Sequence, residues 1–315
     1  MGGHFAATHE PPGIEGVMVK IDILTQLQQF REIIKPHESL APYTLLKIGG
    51  PAEAVIEPRS LAELAAAVKV CLDKQIPFHV LGTGSNILVR DEGIQAAIFR
   101  LSAPAFTQVT VQGGRVRAGG GATLASLISV AAQNNLAGLE TLVGMPGTVG
   151  GSLRRSYGDR SEEFAQYLRR VDVIDSTGTP QTRERDDPRQ AYNSAILDDP
   201  VVVAVELELE RDAADAIVKR LRKAWIQRKA SQPFSYQAAG LIFKNPRGLN
   251  AAALIEQAGL VGTRVGGAQV SDRHASCFIA DAGTTAKEVL RLIDLIRSRV
   301  QERFHIELEL EISVW

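Results

Sequence analysis

The sequence predicts a fold of mixed strands and helices divided into two or three lobes. Three observations carry that prediction. A chain of 315 residues can bury a sizeable core and is long for a single one. Up to Arg211, strand-like runs alternate with segments of helical period. Beyond Arg211 helix-rich sequence takes over, and the chain closes on a segment of near-perfect alternation.

Taken in order, residues 1–17, with Pro11-Pro12-Gly13, read as a disordered leader. Residues 18–35 read as a helical N-terminal segment on the weak periodicity from Ile21 to Ile34. Ser60-Leu61-Ala62-Glu63 has the form of a capping box before a helix over Leu64 to Lys74, which Pro77 terminates. Phe78 to Leu81 and Ala96 to Leu101 are buried-strand candidates. Gly113-Gly114 between two alternating runs signals a hairpin. Gly119-Gly120-Gly121 leads to Thr123, an N-cap for a helix to about Asn135. Val171 to Ile174 runs to a turn at Ser176-Thr177-Gly178, and Val201 to Leu209 is a long strand. Residues 213–229 and 284–303 read as helices. Thr285 and Glu288 cap the second, and Leu290, Ile293, Leu295, Ile296 and Val300 form its core stripe. In the closing strand Ile306, Leu308, Leu310, Ile312 and Val314 share one face, and Glu307, Glu309, Glu311 and Ser313 share the other.

The overall balance excludes several classes. A net charge of −1 gives no global field for nucleic acid or an anionic membrane. The basic run Lys219-Arg220-Leu221-Arg222-Lys223 reads as the solvated face of a helix. Cys71 and Cys277 are too far apart in sequence to suggest a metal motif or disulfide framework, and the six histidines form no ligand pair. No metal site is therefore expected. No apolar run approaches membrane-spanning length, and Met1 to Val17 has no signal-peptide core. The expectation is a cytoplasmic protein, monomeric, with a small-molecule ligand.

Two glycine-rich loops carry the chemistry. Gly82-Thr83-Gly84-Ser85-Asn86 follows an apolar run, and Gly144-Met145-Pro146-Gly147-Thr148-Val149-Gly150-Gly151 lies downstream. Without bulky side chains, backbone N–H groups approach a phosphate closely, and two such loops can hold both phosphates of a dinucleotide. A Rossmann turn would open into a helix at the first loop. Here Ile87-Leu88-Val89 and the turn Asp91-Glu92-Gly93 follow instead, so that reading fails. A tight structural turn explains the first loop as well as a phosphate cradle does. It does not explain the second.

In order along residues 36–315, the motifs resemble the UDP-N-acetylenolpyruvoylglucosamine reductase family. The match includes Leu46 to Ala52, Leu81 to Val89, Gly138-Leu139-Glu140 and the Gly144 to Gly151 loop. It resumes at Ala239 to Pro246, Leu254 to Leu260, Val270 to Ala275 and Leu308 to Ile312. The resemblance implies an α+β fold: a two-lobed FAD-binding domain of the vanillyl-alcohol-oxidase type with a C-terminal α+β substrate-binding domain. The FAD domain would span 36–212, with lobes of about 36–101 and 102–212. The C-terminal domain would span 213–315, its last strand, 305–314, returning to the flavin. It further implies that NADPH reduces FAD, which reduces the enolpyruvyl group of a UDP-sugar during peptidoglycan precursor synthesis. Gly82, Thr83, Gly84, Ser85, Asn86, Gly144, Pro146, Gly147, Thr148, Gly150 and Gly151 would hold the flavin.

The resemblance implies three catalytic positions: an Arg after a Tyr, a Ser or Cys after a Gly, and a Glu in the last strand. This chain keeps the last, Glu311, but has Asn193 after Tyr192 and Leu241 after Gly240. Asn193 keeps a donor but lacks the charge and bidentate fork of arginine, and Leu241 cannot donate a proton. The expectation is a slow or impaired reductase, or a flavoprotein that keeps the scaffold without the reaction. Tyr192, Lys244, Asn245 and His274 are candidate substrate contacts. Lys244-Asn245 could form a turn, but an amine beside an amide better suits a sugar-nucleotide pyrophosphate. His274 reads equally as a structural histidine. On sequence alone Glu311 is a solvated neighbour of Glu307 and Glu309, singled out only by the register of the resemblance.

Overall fold

The computed structural model describes residues 22–155, 166–184, 199–231 and 238–315. The leader, Tyr192 and Asn193 lie outside them. The first sheet has four strands in the spatial order Ile34–Pro36, Ala52–Ile56, Ile94–Phe99, Phe78–Val80. Its first pair is antiparallel and the other two are parallel. The helix Leu61–Asp73 buries Leu64, Ala67, Val68 and Cys71 on this sheet, against Ala54, Ile56, Ala97 and Phe99. That stripe recurs at three and four residues, the period at which one helix face meets a core.

The second sheet is antiparallel throughout, in the order Pro180–Glu184, Leu168–Ile174, Val201–Glu208, Arg115–Gly119, Val109–Gln112. The expected hairpin is present, with Gly113 at φ +66° in its turn. The helix Leu124–Gln133 packs on this sheet through Leu124, Leu127, Ile128 and Ala131. Its N-cap is Thr123, whose hydroxyl accepts from Ser126 N–H at 3.1 Å. A third sheet, Ala238–Leu241, Cys277–Ala280, Ala268–Val270, Arg264–Val265, packs on the helices Ala251–Gln257 and Ala286–Phe304. Asp91, in the turn after Ile87–Leu88, accepts from Ala286 N–H (2.7 Å) and Lys287 N–H (2.9 Å), fastening that last helix to the first lobe.

Several local expectations are corrected. Residues 22–35 form one α-turn, Ile23–Gln26, then a 3₁₀ helix, Gln28–Ile33, rather than a continuous helix. Pairing of Ile34–Pro36 with Ala54–Ile56 overrides a weak helical period there. Ser60 caps as expected, but Glu63 turns its carboxylate to Arg59, accepting from that residue's N–H at 2.7 Å and from its guanidinium. The core stripe of Ala286–Phe304 is Val289, Leu292, Ile293, Ile296 and Val300, with Leu290 and Leu295 at its margins. The basic helix, Ala214–Ser231, is not wholly solvated. Arg220 donates to the nearly buried carboxylate of Glu140 (2.8 Å), and Arg228 to the carbonyl of Thr141 (2.9 Å).

In the closing segment the side chains alternate as expected, but the backbone pairs at few points. Leu310 bridges Phe243, and Ser313–Val314 runs parallel to Ile87–Leu88. The segment follows the helix Ala286–Phe304, touches Phe243 beside the third sheet and crosses to Ile87–Leu88, so it has no single neighbour along its length.

Candidate active site

The strand Phe78–Val80 delivers the chain to the first glycine loop. At Gly84 the backbone is left-handed, φ +62°, and its carbonyl accepts from Leu45 N–H at 3.1 Å. Among the described residues, none accepts from the N–H groups of Gly82, Thr83, Gly84 or Ser85. Successive unspent amides around a left-handed residue are the donor set of an anion-binding nest.

The second loop meets the first. A Cβ on Gly82 would lie 2.6 Å from Thr148 Oγ1, and the Ser85 hydroxyl donates to the Pro146 carbonyl at 3.2 Å. Bare backbone at Gly82 is what lets the loops touch. Beyond Thr148 the second loop becomes a short helix, Val149–Arg155, which corrects the expectation of a loop as far as Gly151. Gly151 N–H donates to Thr148 Oγ1 at 3.2 Å, and Gly150 N–H to the Gly120 carbonyl at 2.8 Å. Gly119-Gly120-Gly121 therefore forms a third wall. Sequence reasoning treated it as the approach to Thr123, although three successive glycines were its visible signal.

These walls enclose a cleft of about 410 Å³, bounded by Thr44, Gly82, Thr83, Gly121, Thr148 and Arg154 among others. Arg154, one residue from the end of the short helix, is a cation with no motif around it to mark it. Its Nη2 donates to the Asp199 carbonyl. Desolvation by the cleft walls pushes its guanidinium below the usual arginine value.

The closing segment brings Glu311 to the first loop. Asn86 Nδ2 donates to the Glu311 carbonyl at 3.1 Å, and Ser313 N–H donates to the Asn86 carbonyl at 3.0 Å. Glu311 N–H donates to the carbonyl of Ile242, next to Leu241, at 2.8 Å. Glu311 is partly buried, whereas Glu307 and Glu309 are exposed. Its neighbours on that face are solvated, and it is not. The structure thus brings together Asn86, Glu311 and the backbone beside Leu241. Across the ladder Leu241 faces Cys277, whose thiol is pushed up to about 12 by burial.

The remaining candidates have structural partners. Lys244 Nζ pairs with Glu309 Oε2 at 3.1 Å, and Asn245 Oδ1 accepts from Ala251 N–H at 3.0 Å, holding the start of a helix. Both side chains are exposed beside the closing segment. His274 Nδ1 accepts from Ser276 N–H at 3.3 Å. Tyr192 and Asn193 lie outside the described residues.

A family model for the C-terminal domain of UDP-N-acetylenolpyruvoylglucosamine reductase matches residues 232–315, and one for an FAD binding domain matches 52–182. Over 284 residues the chain is 37% identical to UDP-N-acetylenolpyruvoylglucosamine reductase 2 of Symbiobacterium thermophilum, covering 90% of this chain and 92% of that one. The chain belongs to this reductase family. A second member, from Clostridium novyi, is 34% identical over 93% of this chain and 96% of its own. The crystal structure of UDP-N-acetylenolpyruvylglucosamine reductase from Thermus caldophilus superposes with a TM-score of 0.73 at 34% identity, covering 88% of this chain and 97% of that one. The α+β class, with the FAD-binding architecture and a C-terminal reductase domain, stands as expected.

The reductase family's cofactor is FAD, and this chain's residues fit it. The free amides of Gly82 to Ser85 suit a diphosphate, and Asn86 Oδ1 is a buried acceptor with no donor. Among the described residues no helix is long and apolar enough to cross a membrane, and no acidic, histidine and cysteine cluster could hold a metal ion.

Proposed function

We propose that this protein reduces UDP-N-acetylglucosamine enolpyruvate to UDP-N-acetylmuramate, with NADPH as reductant, at a rate limited by its own side chains. The observation that carries this reading is the backbone link from Asn86 through Glu311 to Ile242, which sets the Glu311 position between the cofactor loop and Leu241. A flavin held by the loops Gly82 to Asn86 and Gly144 to Gly151 would supply a hydride for C3 of the enolpyruvyl group. Negative charge then develops at the adjacent carbon, which must take a proton to complete the lactyl ether. Stabilising that charge calls for a cation or strong donor at the substrate carboxylate, and the protonation calls for an acid.

At the three family positions the chain offers Asn193, Leu241 and Glu311. Asn193 donates hydrogen bonds without charge, Leu241 donates nothing, and Glu311 is the one ionisable side chain of the three. Loss of a positioned acid costs about 10²–10⁴ in rate. Lys244 and Asn245, exposed beside Glu309, are proposed to meet the UDP diphosphate, with Tyr192 and His274 as further substrate contacts. A second reading, a flavoprotein that keeps the scaffold for another substrate or for binding alone, is favoured by the hydrocarbon at Leu241.

A stopped-flow assay separates them. NADPH bleaches the flavin, and the UDP-sugar enolpyruvate restores its colour slowly under the first reading. No return of colour at saturating enolpyruvate overturns it in favour of the second.

A further inference from the structure

We propose that Arg154 is a ligand for the diphosphate of FAD, in the cleft that Gly82 and Thr83 of the first glycine loop also line. The inference rests on FAD binding and not on turnover, so it stands whether or not the enolpyruvyl reaction survives. Arg154 borders the same cleft as Gly82, Thr83 and Thr148. Among the described residues one of its five N–H donors is spent, on the Asp199 carbonyl, which fixes the direction of the guanidinium. The Asp199 carboxylate is already held on both oxygens by Arg183, at 3.0 and 3.1 Å. Among the described residues no other carboxylate pairs with Arg154.

Arg154 is exposed along this cleft, and among the described residues its remaining donors have no acceptor, so an anion held in the cleft would gain charge-assisted hydrogen bonds from it. Backbone amides and a planar guanidinium lining one cleft are complementary to a diphosphate, which offers acceptors in several directions and two negative charges. The adenine and isoalloxazine ends of the cofactor are less suited, since neither carries a fixed charge in the oxidised form.

The test uses the deflavinated full chain with FAD, riboflavin and ADP as separate probes, each titrated by fluorescence quenching or competition. Arg154→Gln is expected to weaken FAD and ADP about 10–100-fold, the size of one or two charge-assisted hydrogen bonds, with riboflavin unchanged. Arg154→Lys is expected to recover part of the loss and to steepen its dependence on salt. Equal weakening of FAD and riboflavin would mean that Arg154 merely supports the strand after Asp199, and overturns the proposal. So does unchanged FAD affinity, including the case in which UDP binding falls instead and the guanidinium serves the substrate.

Discussion

Asn86 holds Glu311 by its backbone: the Asn86 amide donates to the Glu311 carbonyl at 3.1 Å, while the Asn86 carbonyl accepts from Ser313 N–H at 3.0 Å. The side chain of a residue in the first glycine loop thereby sets the position of Glu311, the carboxylate proposed to act in the reaction. Asn86→Ala removes one of the two bonds and is expected to cost about 1 kcal/mol in stability. Reoxidation of the flavin by the enolpyruvate should slow more than its reduction by NADPH. Equal slowing of both half-reactions would place the role of Asn86 at the flavin rather than at Glu311.

Restoring the family side chains is expected to raise the rate of the second half-reaction. Leu241→Ser or Leu241→Cys returns a proton donor, and Asn193→Arg returns a charge for the substrate carboxylate. Because both act on one transition state, the double variant should gain more than the product of the single gains. Glu311→Gln in that background should remove the gain. If the double variant binds the UDP-sugar but reoxidises no faster, the scaffold-only reading is the better one.

Glu140 ties the approach to the second glycine loop. It accepts from Gly138 N–H at 2.7 Å and from Arg220 Nε and Nη2 at 3.0 and 2.8 Å, and is 8% exposed. Glu140→Ala leaves the Gly138 amide unpaired and is expected to cost about 1–3 kcal/mol in urea unfolding, with weaker FAD retention. Arg220 keeps Asp212 at 2.7 Å, so the loss should fall short of that for breaking a fully buried pair.

Both cysteines are buried, and burial alone pushes each thiol up to about 12, from an ordinary 9.0. At pH 8 an aromatic disulfide reagent should label neither in the folded protein and both after denaturation. A raised thiol pKa means that the folded state binds more protons than the unfolded state in alkali. Its contribution to stability is therefore complete below about 9 and declines as pH rises toward 12. Melting temperatures from pH 8 to 11 for Cys71→Ala and the parent should converge toward the alkaline end.

Legibility in the sequence followed the range of the signal. The cap at Thr285 and Glu288 is local, and both of its hydrogen bonds form as read. The glycine loops were visible because the backbone approach they permit is written in the residue type itself. Glu63 was misassigned because Arg59 competes for its carboxylate, which a capping pattern does not weigh. Alternation from Ile306 to Val314 gives the faces correctly but cannot reveal that its backbone partners are an isolated bridge at Phe243 and the separate strand Ile87–Leu88. The pairing of Leu241 with Cys277 contains a bulge and spans distant sequence, so no local period encodes it. Arg154 had no signature at all, since its meaning comes from the walls around it.

The parallel pairing of Ser313–Val314 with Ile87–Leu88 also constrains the order in which the molecule assembles. The Asn86–Glu311 bond joins residues 225 apart in sequence, whereas most contacts within each sheet are made over shorter spans. Closing so long a loop costs less entropy once the intervening lobes have folded and shortened the effective distance. The glycine loop is therefore among the last parts to be locked, although it lies early in the chain. During synthesis, the first lobe would leave the ribosome with the edge at Ile87–Leu88 unpaired until residues 313–314 arrive, so a nascent chain cannot hold the Glu311 arrangement before its lobes are complete.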